Sequence, residues 1–299
     1  MRMVSKTGFC FHDFVVLIRF RQWYKNSVIF LPLVFAQQLF NVPMFLRTLL
    51  GFLSMCLVSS AAYIINDIAD AKKDAKNHEK KHRPLASRRV SVGFAASLSF
   101  ILLLCALALA WSLTLPFFVF VFSLFMLTQL YTFLLRSVPL VDVLLIAVNF
   151  VLRSVSGAFV ASDGFFPWIT VSPWLILCPF FLSLFLSVGK RESELRYLGG
   201  AAKKHRYVLE FYSKDMTRNM MTISTTLLIL SYSLYSFLSK NPLLLITLPA
   251  AIYVVFRYLY LIETGSPVAR EPGAFFKDRS ILVGLSVWVL LAFSVLYIV

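Results

Sequence analysis

The sequence predicts an all-α, polytopic membrane protein of about nine transmembrane helices, with its N-terminus in the cytoplasm. Three observations carry that prediction. Hydrophobic residues make up 59% of the 299, only 14% are charged, and the mean hydropathy is +0.80, well beyond the composition of a soluble domain. Apolar runs close to the roughly 20 residues needed to cross a bilayer recur along the whole chain. The cations are segregated as well: with the N-terminus inside, all but three of the 29 Lys and Arg residues (Arg47, Arg153 and Lys240) fall in cytoplasmic segments, as the positive-inside rule requires.

Residues 10–25 alternate Phe11, Phe14, Val15 and Ile18 with Arg19, Arg21 and Lys25, the pattern of a short amphipathic helix lying on the cytoplasmic membrane surface. Apolar runs follow at about 27–40, 46–65, 91–111, 114–135, 139–161, 168–189, 219–238, 241–260 and 280–299. The first is short and carries Gln37 and Gln38, so its span is the weakest. Pro116, Pro139 and Pro167 fit span starts, where a missing N–H donor does no harm. Trp23, Tyr131 and Tyr258 fall near expected membrane boundaries as interfacial anchors, with Tyr131 alternatively bordering a cavity. No internal repeat or linker divides the chain, which reads as one transmembrane domain over 1–299.

The formal net charge of +15 lies in loops between apolar runs, so it points to topology, anionic lipid and phosphorylated substrates and not to nucleic acid. Cys10, Cys56, Cys105 and Cys178 have no paired spacing, which excludes a disulfide framework and a zinc site as expectations. Met1 to Lys25 lacks the long apolar core and small-residue cleavage site of a cleavable signal.

The chemistry concentrates where the second apolar run ends, at Asn66-Asp67-Ile68-Ala69-Asp70-Ala71-Lys72-Lys73-Asp74, followed by Lys81-His82-Arg83-Pro84. At about 100° per residue, Asp67, Asp70 and Asp74 fall within about 60° of one another on one helical face. Three acids side by side repel unless a cation lies between them. Hard oxygen ligands with no nearby thiol pair point to Mg²⁺, which favours a few carboxylates plus substrate phosphate oxygens. A solvated helix end flanked by lysines is the plainer alternative.

A second charged stretch, Gly189-Lys190-Arg191-Glu192-Ser193-Glu194-Leu195-Arg196, mixes acid with base one turn apart. It suits self-neutralising pairs, or phosphate contacts from Lys190 and Arg191 with Glu194 on a metal or sugar hydroxyl. Arg153 lies inside a span, Asp142 near the cytoplasmic end of the same helix, and Asn149 between them on a shared polar stripe. Intramembrane charges face a cavity or a partner, so an ion pair with another helix and a ligand contact are both open. A third loop carries Arg257, Glu263 and Lys277-Asp278-Arg279. His78 and His82 are four apart but have no third ligand beside them, so they read as loop residues.

The motif Asn66-Asp67-x-x-Asp70-x-x-x-Asp74 at the cytoplasmic end of the second span resembles the first aspartate-rich motif of the UbiA superfamily of intramembrane prenyltransferases. Further stretches are similar to one branch: Arg21-Gln22-Trp23-x-Lys25-Asn26, Lys81-His82-Arg83-Pro84, Phe150-Val151-Leu152-Arg153-Ser154-Val155-Ser156-Gly157, Gly189-Lys190-Arg191-x-x-Glu194-Leu195, and Asp278-Arg279-x-Ile281-Leu282. Together they resemble the decaprenyl-phosphate phosphoribosyltransferases, over nearly the whole chain. The superfamily usually carries a second aspartate-rich motif after the sixth span; here that place holds Lys190-Arg191-Glu192-Ser193-Glu194. The departure disfavours prenyl transfer to an aromatic ring and favours two phosphate-bearing substrates. The fingerprint of soluble phosphoribosyltransferases, an apolar strand ending in paired acids, is absent.

The resemblance implies a UbiA-like helical bundle that moves 5-phosphoribosyl from phosphoribosyl pyrophosphate to a polyprenyl phosphate. It places Asp67, Asp70 and Asp74 on Mg²⁺, with Asn66 orienting the site. Lys25, Asn26, Lys81, Arg83, Arg153, Lys190, Arg191 and Glu194 are the candidate substrate contacts. It implies a bacterial inner membrane with the site facing the cytoplasm, and it leaves a homo-oligomer open. A prenyltransferase that moves a polyprenyl chain to an aromatic or quinone precursor is the main alternative. A transporter of polar lipid intermediates is a third, argued against by acids gathered at one face instead of the midplane.

Overall fold

The computed structural model describes residues 11–77, 80–162, 169–198, 207–270, 274 and 277–298; Cys10, His78, Pro167 and the middle of the 190–218 loop lie outside them. All regular structure among these residues is helical. Helix α1 spans Phe11–Leu17, and a 3₁₀ segment, Phe20–Phe30, leads into α2, Leu31–Phe35. Then come α3 (Val42–Asp74), α4 (Val92–Leu113), α5 (Leu115–Leu130, extended by a π-helical turn at Tyr131–Leu135), α6 (Val141–Val160) and α7 (Pro173–Leu198). The chain finishes with α8 (Lys214–Leu238), a 3₁₀ turn at Pro242–Thr247 running into α9 (Leu248–Glu263), the short α10 (Pro267–Arg270) and α11 (Arg279–Tyr297).

Eight of these helical stretches are long and apolar enough to cross a membrane, the eight expected runs from 46–65 onward. The expected ninth, at 27–40, differs: it folds as 3₁₀ helix followed by the five-residue α2. Its start is polar (Arg21, Gln22, Lys25, Asn26) and its end carries Gln37 and Gln38, which leaves few residues to propagate an α-helix between them. A 3₁₀ helix rises about 2.0 Å per residue against 1.5 Å, so this thin segment still runs deep between α3 and α6, placing Ile29 in their shared core.

Side-chain caps set the helix starts. Asn41 accepts from the Met44 N–H, Ser91 from Phe94, Thr114 from Phe117, Ser213 from Met216 and Asp278 from Ile281, each occupying a donor that the helix cannot satisfy itself. The Arg257 guanidinium beside Asp278 (2.9 Å) holds that carboxyl below its usual range, so the cap on α11 stays charged. Pro116 falls in the first turn of α5 as expected.

The two largest buried clusters meet at α6. One gathers Ile29, Met55, Val58, Phe117, Val121, Leu124 and Val160 from the 3₁₀ segment and α3 to α6. The other joins Val143, Phe185, Met221, Leu228, Tyr258 and Ile281 from α6 to α11. Tyr258, expected at a membrane interface, is instead buried edge-on to Phe185 with ring centroids 5.2 Å apart. The ring of helices closes where the Tyr297 hydroxyl donates to the Val34 carbonyl at 2.8 Å. Away from the charged end, Arg47 donates to the terminal carbonyls of α4 and α6, Leu113 (2.9 Å) and Val160 (3.4 Å), a cation on helix C-terminal oxygens.

Among the described glycines the tightest approach is at Gly157, where an added Cβ would stand 1.9 Å from the Ile29 carbonyl oxygen. Neither backbone can yield without parting α6 from the 3₁₀ segment. Gly157→Ala is therefore expected to cost about 3 kcal/mol or more of stability. Gly93→Ala, with nothing within 4 Å of the new Cβ, is expected to be neutral or slightly stabilising. Unfolding of the two variants in detergent compares them directly.

Candidate active site at the charged end of the bundle

Helix α3 runs unbroken for 33 residues, about 50 Å at 1.5 Å per residue, and so outreaches a hydrocarbon core of about 30 Å. Its last two turns carry Asp67, Asp70 and Asp74 beyond the apolar run. The expected shared face is present, and the cations between the acids are guanidinium groups. Arg83 places Nη1 3.0 Å from Asp67 and 2.8 Å from Asp74, joining carboxylates two turns apart. Arg19 donates to the same Asp67 oxygen at 2.5 Å. Arg136 donates from Nη1 to both oxygens of Asp70, at 2.9 and 2.8 Å. Asp67 and Asp74 are buried, so these pairs carry the electrostatic cost of holding the acids there.

Neither Arg19 nor Arg136 stands out in the sequence as a site residue. Arg19 is delivered by a break in the helix: it sits in the left-handed region (φ 52°) between α1 and the 3₁₀ segment. Its guanidinium lies 4.7 Å over the Tyr63 ring, a cation–π contact. Arg136 is delivered by the π-helical turn that ends α5, a type of irregularity that gathers at functional sites. The one available signal was its isolation, a single cation after an apolar run.

Among the described residues, no three His, Cys, Asp or Glu side chains converge closely enough to hold a metal. The donor chemistry nonetheless suits Mg²⁺, which takes a few carboxylate oxygens and completes its shell with water and phosphate. Asp67, Asp70 and Asp74 are the carboxylates here that would supply such oxygens. Asn66 is half-buried beside them.

Beside Asp67 opens a cleft of about 370 Å³ lined by His12, Val15, Val16, Arg19, Arg21, Gln22, Asp67, Arg83 and Pro84. Deeper in the bundle, a cavity of about 20 Å³ is lined by Val58, Ser59, Ala62, Tyr63, Leu124, Phe125, Thr128 and Arg153, room for roughly one water. Arg153 donates from Nε to Asn26 Oδ1 (2.9 Å) and from Nη1 to the Asn149 carbonyl (3.1 Å). Asn26 is tied in turn to Cys56 and Ser59. The expected polar stripe on α6 exists, and Arg153 meets an amide in place of an acid. Lys25 is half-buried within electrostatic reach of Tyr63. Lys81 is exposed, and its side chain meets no acid of the site among the described residues.

The second charged stretch forms its own cluster. Arg191, 1% exposed, donates from Nε to Asp142 (2.9 Å) and from Nη1 to Glu194 (3.4 Å). Lys190 lies 3.9 Å from Glu194. Glu192 accepts from Arg196 at 2.5 Å and also from the Thr217 hydroxyl. The self-neutralising reading of this helix end is the arrangement found, and Asp142, for which the sequence leaves both a pair with another helix and a ligand contact open, joins it from α6. Tyr212 donates to Asp142 at 2.7 Å. Burial pushes its phenol well above the usual range, and the adjacent Asp142 carboxylate pushes the same way, which keeps Tyr212 a donor. Asp142 is positioned by a tight turn at Pro139–Val141, with Leu140 at φ 66° and the Val141 N–H 2.8 Å from the Pro139 carbonyl, a rare and strained γ-turn geometry. Tyr131, at the start of the π-helical turn, lies within electrostatic reach of Arg191.

Removing one member of a buried ion pair strands the other charge. Asp142→Ala is expected to destabilise the chain by about 3–5 kcal/mol, and Lys190→Ala by less than about 1 kcal/mol, read from unfolding in detergent. Comparable losses from the two variants would contradict the division of roles within this cluster.

A sequence profile of the UbiA prenyltransferase family matches residues 27–277. The chain is 29% identical to the decaprenyl-phosphate phosphoribosyltransferase of Mycolicibacterium smegmatis, over 91% of this chain and 88% of the relative. It is 28% identical to the Corynebacterium glutamicum protein of the same name, over 94% and 86%. The fold matches a UbiA homologue from Archaeoglobus fulgidus bound to GPP and Mg²⁺ with a TM-score of 0.69 and 17% identity, over 95% of this chain and 99% of that one.

Proposed function

The chain belongs to the UbiA prenyltransferase family, and from that membership we propose that it transfers 5-phosphoribosyl from phosphoribosyl pyrophosphate to a polyprenyl phosphate, releasing pyrophosphate. It is an integral membrane transferase, and the proposed orientation puts the charged end in the cytoplasm of a bacterial inner membrane. The observation that carries the choice of donor is the state of the second charged stretch. Where a second diphosphate-holding acid cluster would stand, Glu194 is engaged by Arg191 and Lys190, and Glu192 by Arg196 and Thr217. One carboxylate set remains for a metal, amid an excess of cations. The phosphoribosyltransferases matched over about nine-tenths of the chain support the same reading.

In this reading an acceptor phosphate oxygen attacks ribose C1, and the C1–O bond to pyrophosphate breaks with its electron pair leaving on pyrophosphate. The acceptor oxygen is already anionic, so no strong general base is required. Asp67, Asp70 and Asp74 would hold Mg²⁺, which when bound neutralises charge on the leaving group. Asn66 fixes the end of α3 around the donor. Arg83 and Lys25 screen the two anions from each other. Arg153, held by Asn26 at the inner cavity, meets the lipid phosphate. Lys190 and Lys81 add positive potential at the rim, and Arg191 and Glu194 keep the neighbouring wall of the site in place.

Purified protein supplied with Mg²⁺, labelled phosphoribosyl pyrophosphate and a polyprenyl phosphate is expected to form a ribosylated lipid and free pyrophosphate. Asp70→Ala is expected to lower that rate roughly 10²-fold or more. Prenyl transfer is the second reading, favoured by the fold match to a GPP-bound homologue. Product from a labelled prenyl diphosphate and an aromatic acceptor, with none from the ribosyl donor, would establish it instead.

A further inference from the structure

Phosphoribosyl pyrophosphate differs from a prenyl diphosphate in carrying a second anion, the 5-phosphate, one pentose away from the leaving group. A site selective for it needs a second group of cations near the acids that handle the pyrophosphate. We propose that the cleft between α1 and the Arg83–Pro84 turn is that subsite, and that Arg21 and His12 bind the donor 5-phosphate there; the inference rests on the phosphoribosyl reading above.

The cleft shares Asp67, Arg19 and Arg83 with the acidic motif, so a ligand bound at that motif reaches its mouth. Its volume of about 370 Å³ lies in the usual range for ligand pockets, roughly 300–1,000 Å³. Its lining sets the cations Arg19, Arg21 and Arg83, with the imidazole of His12, against the single acid Asp67. Arg19 and Arg83 are already committed to that acid. Arg21 has no ion-pair partner among the described residues, and both it and His12 are exposed residues of the cleft lining. A planar guanidinium with paired N–H donors suits a phosphate dianion. The cleft floor is anchored as well: α1 packs Leu17 against Ile64 and Leu85, and buried Asp13 pairs with Arg89 at 3.0 Å. His12 is thereby carried by an anchored α1, and Arg21 by the 3₁₀ segment Phe20–Phe30 that packs between α3 and α6.

The competing source of a phosphate is an anionic lipid headgroup, because α1 also exposes Phe11 and Val16, and the 3₁₀ segment after it exposes Phe20. Two probes separate the cases in purified protein: ribose 5-phosphate, which carries only the distal phosphate, and Mg²⁺ with inorganic pyrophosphate. Arg21→Gln is expected to weaken ribose 5-phosphate binding roughly tenfold or more and to raise KM for the ribosyl donor with kcat little changed. Pyrophosphate binding is expected to stay as in the parent chain. His12→Gln is expected to shift the same quantities in the same direction by a smaller factor. Unchanged ribose 5-phosphate binding in Arg21→Gln would overturn the subsite while leaving the phosphoribosyl reading standing. Loss confined to retention of anionic lipid in nanodiscs of mixed phosphatidylglycerol and phosphatidylcholine would overturn it too, in favour of a headgroup site. A chain that turns over only prenyl diphosphates would instead remove the reading on which the subsite rests.

Discussion

Three carboxylates at the end of a membrane helix cannot stand together uncompensated, and the arrangement of this protein follows from how that repulsion is met. Arg83 joins Asp67 to Asp74, Arg19 adds to Asp67, and Arg136 takes Asp70. These arginines come from three places in the chain: the break after α1, the turn after α3 and the π-helical end of α5. Satisfying the acids therefore fixes the N-terminal segment, the 80s turn and the α5–α6 connection against the end of one long helix. The same convergence sets a cationic surround on an acidic centre, an arrangement suited to handling polyphosphate.

A guanidinium is a replaceable partner for a carboxylate. A divalent ion competes for the acid, and the phosphate that accompanies it offers the arginine a bidentate alternative. The ion pairs of the ligand-free chain keep the motif ordered and neutral in the low-dielectric neighbourhood of the membrane. In the proposed reaction they would also give each acid a cation able to turn to substrate as the acid turns to metal. Arg191 behaves differently. Held on both sides and almost wholly buried, it supports α6 against α7, and Lys190 next to it, half-buried, is the more accessible of the two cations.

The parts of this arrangement differ in how far the sequence discloses them. The eight long spans are legible because lipid demands a long apolar run for each. Asp67, Asp70 and Asp74 are legible because spacing alone puts them on one face. Asp142 and Arg153 declare themselves as charges in apolar surroundings, although their partners, Arg191 and Asn26, lie 49 and 127 positions away. Arg19 and Arg136 are not legible in this way. Each reaches the site through a backbone irregularity, a left-handed residue in one case and a π-helical turn in the other, and neither has a composition signature. Tyr258 misleads for a related reason. An aromatic near an expected boundary reads as an interfacial anchor, and only the packing of α9 on α7 shows it turned inward. The segment at 27–40 misleads through its backbone, because apolar composition does not distinguish 3₁₀ from α geometry.

The most direct measurement is a structure of the chain with Mg²⁺ and phosphoribosyl pyrophosphate bound. The expected result has pyrophosphate beside the end of α3, Asp70 released from Arg136 and Asp67 released from Arg19, with the freed guanidinium groups on phosphate oxygens. A donor bound elsewhere, with all of these arginine–aspartate pairs intact, would contradict the exchange on which the site depends.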